Sequence, residues 1–103
     1  MASGILGQSA PAATTNTTVY TVPAAKLATF NVNIVNRGTS AATVRLAIAS
    51  TATPANSEWL EYDANIAASA VLERTGLVAQ AAENVVVYAS SANLSVSVYG
   101  YEE

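Results

Sequence analysis

The chain has no cysteine and no histidine. Without cysteine there is no disulfide framework, no thiolate metal site and no thiol nucleophile. Without histidine the usual general base near neutral pH is missing, along with the commonest metal ligand and every Ser-His or Cys-His pairing. Charge is scarce too: charged residues are 11% of 103, and the formal net charge is −3. The basic residues Lys26, Arg37, Arg45 and Arg74 form no cluster, and nucleic-acid binding needs several phosphate contacts, so no nucleic-acid partner is expected. No apolar run approaches the roughly 18 residues of a membrane-spanning helix. The segment Met1–Gly7 lacks the basic and apolar regions of a secretory signal. No membrane partner is expected, and synthesis in a reducing compartment fits.

What is present is apolar and small. Apolar residues are 51% of the chain, much of them Ala and Val. A chain of this length makes one domain, and this composition is enough for a core without metal or disulfide. The core is expected to be thin and β-branched. Low charge on so apolar a chain fits two surfaces: one covered by neighbours in an assembly, or one covered by Ser, Thr and Asn.

Alternation carries the fold. In Leu27–Ile48, Ala28, Phe30, Val32 and Ile34 alternate with Thr29, Asn31 and Asn33; after Asn36-Arg37-Gly38-Thr39-Ser40, Val44, Leu46 and Ile48 alternate with Thr43, Arg45 and Ala47. Successive side chains on a strand point to opposite faces, so these are two strands with one apolar face each. The short, Gly-containing link reads as a β-hairpin. Further strands are expected over Thr17–Val22, ended by Pro23, over Glu58–Tyr62 and over Val71–Thr75, closed by Gly76. The continuous apolar run Asn84–Ala89 suits a central, two-sided strand. In the last strand Leu94, Val96 and Val98 oppose Tyr99 and Tyr101. Asp63-Ala64-Asn65 has the composition of a turn. The Ala-rich patches lack helical spacing. The expectation is a single antiparallel β-sandwich, jelly-roll or Ig-like, of seven to eight strands over 17–103. Its core would hold Phe30, Val32, Ile34, Val44, Leu46, Ile48, Leu94, Val96 and Val98. Residues 1–16 show no strand periodicity and read as an extended arm. That arm is either frayed or docked on a neighbouring subunit through Ile5 and Leu6.

No reaction centre emerges. Lys26, the only lysine, sits in a turn, where a solvated ammonium is the ordinary state. Glu58 and Glu61 fall on opposite faces of one strand and do not converge as a hydrolytic pair. Asp63, Asn65 and Glu61 lack the spacing of a calcium loop. Catalytic, metal and cofactor residues are therefore not expected. Glu73 and Arg74 point to opposite faces of a short strand, and Arg74 is matched with Glu61 or Asp63 as a fork, within the chain or across a subunit interface. Tyr99 and Tyr101 form an outward aromatic pair suited to an interface or to cross-strand packing.

Three blocks carry a resemblance: YTVPAAKLATFNVNIVNRGTSAATVRLAIA (20–49), EWLEYDANIAASAVLERTGLV (58–78) and NVVVYASSANLSVSVYGYEE (84–103). In this order they resemble small virion structural proteins of tailed bacteriophages of the marine phage and cyanophage type. Such proteins often have Gly after the turn proline, where this chain has Ala24-Ala25. The resemblance implies a β-sandwich made in the host cytoplasm and built into the virion, without catalytic residues. Most directly it implies a capsid decoration or cement protein on the major capsid protein. The alternatives are a tail-fibre or baseplate subunit contacting tail proteins, or a carbohydrate-binding adhesin module. It also implies a homo-oligomer, a trimer by preference. The expected interface residues are Ile5, Leu6, Glu73, Arg74, Tyr99 and Tyr101.

Overall fold

The computed structural model describes residues 3–103. Eight strands are connected in chain order: β1 (Ser3–Ser9), β2 (Thr17–Thr21), β3 (Ala28–Asn36), β4 (Ala42–Ala49), β5 (Trp59–Ile66), β6 (Val71–Ala79), β7 (Asn84–Ala89) and β8 (Leu94–Glu102). A 3₁₀ turn, Asn56–Glu58, precedes β5. The strands form two four-stranded antiparallel sheets, ordered β1-β8-β3-β6 and β2-β7-β4-β5. Each step along the chain crosses to the other sheet except β4 to β5, which are antiparallel neighbours in one sheet. That is the two-sheet jelly roll.

The core lies between the sheets and is mostly Val and Ala, with Phe30, Ile34, Leu46 and Leu94 as its largest fully buried members. Every core position expected from alternation is buried except Ile48, which packs against the cluster while partly exposed. The run Val85-Val86-Val87 is fully buried because β7 lies between β2 and β4. Val85 and Val87 face the core, and Val86 faces a small outer cluster with Ala47, Ala49 and Trp59.

The expected hairpin does not form. Its two strands exist at the expected places, but β3 pairs with β6 and β8, while β4 pairs with β5 and β7. One-sided alternation fits two strands facing each other across a core as well as two strands side by side. Asn36 makes the difference. It is 1% exposed, its Oδ1 accepts from the Gly38 amide at 2.8 Å, and its Nδ2 donates to the carbonyls of Ser40 (2.9 Å) and Ile66 (3.0 Å). These bonds bend the chain from one sheet to the other instead of back along the first.

The N-terminal stretch is also different from the expected arm. Ser3–Ser9 form a strand that pairs with β8 from Ser3↔Tyr101 to Ser9↔Val96, so the neighbour that orders it belongs to the same chain. Its periodicity is hidden by a bulge between Ile5 and Gly7. Met1 and Ala2 of the expected arm lie outside the described residues.

Two further irregularities decide which side chains face out. In β6, Gly76 does not end the strand. It takes φ +69° inside a bulge, with its amide donating to Asn31 Oδ1 at 3.0 Å, and pairing resumes at Leu77↔Phe30. In β5, the residues expected to turn are still strand, and the partners run Val44↔Ala64, Leu46↔Glu61, Ala47↔Trp59. Two residues of β4 span three of β5, and then one spans two, so β5 carries two extra residues. Asp63, at φ +54°, lies in the first of these bulges.

Candidate interaction surface

Four of the six residues expected at an interface meet on the outer face of the β1-β8-β3-β6 sheet. Tyr101 stands opposite Ser3 on one side and Thr29 on the other, and Thr29 stands opposite Val78. In the next outward row, Ile5 is opposite Tyr99, which is opposite Asn31. A band therefore crosses all four strands at one end of the sheet. Its large apolar members are open to solvent: Ile5 is 58% exposed, Val78 55% and Tyr101 43%. Leu27, at the same end, is exposed too, and its amide and carbonyl exchange hydrogen bonds with Glu103.

Glu73 stands on this face opposite Asn33, one row from the tyrosines. The Tyr99 hydroxyl reaches across β3 and donates to Glu73 Oε2 at 2.9 Å. That bond holds the phenol above its ordinary pKa, because losing the proton would set two negative groups together. The pair spans the sheet from β8 to β6 across β3. Toward the other end the face turns to small polar residues, with Gln8 beside Ser97 and Asn33, before Val71 and Val35.

The other two residues point elsewhere. Leu6 packs against the core from the inner side of β1. Arg74 stands opposite Val32, on the inner side of edge strand β6, and its Nη1 donates to Glu61 Oε2 at 2.6 Å on edge strand β5. The expected fork is therefore present with Glu61, as a tie between the two sheets within one chain.

Sequence reasoning missed Val78 because its parity is reversed by the Gly76 bulge: counted straight from Val71, Val78 falls on the inner face. Gly76 itself was the available signal, since a glycine inside a strand pattern marks a bulge as readily as an end.

Chemically the face offers apolar area, two phenols, amides and one carboxylate engaged by a phenol. No group of three or more metal-ligating acids, His or Cys occurs among the described residues. No known protein-family model, curated protein or solved structure matches this chain.

Proposed function

We propose that this chain is a non-enzymatic structural subunit of a tailed-phage virion, a decoration or cement protein that docks on the head shell through the outer face of its β1-β8-β3-β6 sheet. The observation that carries the reading is the exposed band Ile5–Tyr101–Val78. Exposed apolar side chains gathered on one face, rimmed by polar residues, are what protein contacts use, whereas singly scattered ones need no explanation. The virion context comes from the resemblance of the three sequence blocks.

The face suits a rigid docking partner. It lies on a sheet rather than on loops, and the Tyr99–Glu73 bond holds one of its aromatics in place before contact. Cement acts through many copies, so a modest free energy per copy is multiplied over a shell. A trimer on three-fold positions is the assembly implied by the resemblance, and the same band supplies the contact to the major capsid protein or to neighbouring copies.

The test is to raise antibody against the purified chain and locate it on purified particles of the encoding phage by immunogold microscopy. Label over the heads is expected, and a Tyr101→Ser, Val78→Ser double variant should be lost from particles while folding normally. Label confined to tails would favour the tail-fibre or baseplate reading, and particles free of the chain would refute a virion role.

A further inference from the structure

The opposite sheet carries a second assembly of side chains that the docking face does not use. Arg45 on β4 lies with its guanidinium 4.1 Å from the centre of the Tyr62 ring and 4.6 Å from that of Tyr88. Its Nε and Nη2 donate to the two carboxylate oxygens of Asp63 at 2.7 and 3.3 Å. Trp59 meets Tyr62 edge-on, with ring centres 5.6 Å apart. Tyr62 is 59% exposed. All of these lie on the outer face of the β2-β7-β4-β5 sheet, beside the small residues Ala47 and Ala49.

The two β5 bulges build this group. Trp59 and Tyr62 are an odd number of residues apart, so an unbroken strand would send them to opposite faces. The extra residue between Glu61 and Trp59 puts both rings outside while Glu61 stays inside on Arg74. The other bulge, with Asp63 at positive φ, puts that carboxylate beside the same guanidinium. Bulges that re-aim side chains are features that sheets use at sites of contact.

We propose that this outer cluster binds a neutral pyranose, a single sugar unit of an uncharged glycan. Charge and shape select that partner. Arg45 and Asp63 cancel each other, so a charged partner finds no net attraction. What remains is an apolar ring face with fixed hydrogen-bonding groups at its rim. A guanidinium has five N–H groups, and Arg45 commits two of them to Asp63, so three point to solvent or the Tyr rings. Both Asp63 oxygens keep lone pairs. A pyranose has the matching form, with C–H bonds on one face and hydroxyls around the edge. Donors and acceptors held in place by stacking and pairing lose little freedom on binding.

The inference is independent of the docking reading, because it concerns the other sheet and needs no particle. Trp59 is the only tryptophan, so its emission reports on this cluster alone. The full chain is titrated with methyl glucoside, methyl mannoside, methyl galactoside and N-acetylglucosamine to about 100 mM, because a ligand of about a dozen heavy atoms binds with Kd near 1 mM. A saturable change in Trp59 emission with at least one neutral sugar is expected. Tyr62→Ala and Arg45→Met should each weaken it tenfold or more, roughly the loss seen at contact hot spots. Tyr62 is exposed, so its variant should melt as the wild type does. No saturable response to any neutral sugar overturns the proposal. So does a response that Tyr62→Ala leaves unchanged, or one at least as strong with glucuronate. If Tyr62→Ala instead removes the chain from particles with no sugar response, the cluster is a protein contact and the proposal fails.

Discussion

Asn36 is the residue on which the topology turns. Its amide serves three backbone groups at the β3–β4 corner while buried. Asn36→Ala should cost about 1–3 kcal/mol for each buried group left unpaired, and urea denaturation measures the sum. Phe30→Ala should cost roughly 3–5 kcal/mol, since Phe30 is fully buried at the centre of the core. A denaturation curve for either variant that overlays the wild type would contradict its assigned role. Tyr20 and Glu102 also make a buried polar contact, with the hydroxyl donating to Glu102 Oε2 at 2.5 Å and the ring edge-on to Phe30. Burial first, then Glu102, pushes the Tyr20 phenol far above its ordinary range. A raised folded pKa means a contribution that is intact below about pH 10 and lost as pH rises through the folded value. Tyr99 follows the same sign through Glu73. Spectrophotometric titration should therefore show Tyr20 ionising only well above about pH 10 in the native protein, and in the ordinary range once it unfolds. Two carboxylates carry the opposite sign. The Arg45 hydrogen bond lowers the Asp63 pKa, and the amides of Ala55 and Ser50 lower that of Glu58. Their contribution is present above about pH 4 and lost as pH falls through the folded values. Asp63→Asn should flatten the acid limb of a plot of Tm against pH.

At the scale of elements, β1 is an integral edge strand rather than a detachable arm. Deleting residues 1–12 should strip the cover from β8, expose the inner face near Leu6 and lower Tm, where a docked arm would leave Tm unchanged. The Arg74–Glu61 tie joins the far edges of the two sheets beside the β5–β6 turn. Both side chains are partly exposed, at 35% and 25%, so removing the pair should cost no more than about 1 kcal/mol. Its loss should show instead as faster amide exchange in β5 and β6. Strand-by-strand alternation was legible from the residues: Phe30 to Ile34, Val44 to Leu46 and Leu94 to Val98 face where the period of two puts them. Pairing was not, because facing and neighbouring strands share one pattern. Nor was the direction of Val78, Trp59, Tyr62 or Asp63, each beside a bulge that shifts the period by one residue. The outward Tyr99–Tyr101 pair was legible, since β8 runs without a bulge, whereas for Arg74 the sequence left Glu61 and Asp63 as equal partners, and the bulges on either side of Glu61 decide between them. The Arg45–Asp63 pair was not, since it depends on an extra residue in β5.

Taken whole, the molecule is a slab of 41 × 27 × 20 Å with different chemistry on its two broad faces. One presents an apolar band, the other a charge-neutral aromatic cluster. With so few charges, docking should rest on apolar contact and hydrogen bonds. Raising NaCl from about 0.05 to 1 M shortens the Debye length from over 10 Å to about 3 Å, and the chain should stay on purified particles throughout. Complete release in that range would mean that electrostatics hold it. The most direct measurement of the two-faced account is hydroxyl-radical footprinting, by mass spectrometry, of the free chain against the particle-bound chain. Ile5, Tyr101 and Val78 should become protected on the particle while Tyr62 stays as reactive as in the free protein. Protection of Tyr62 with Tyr101 still reactive would place the particle on the other sheet and contradict the account.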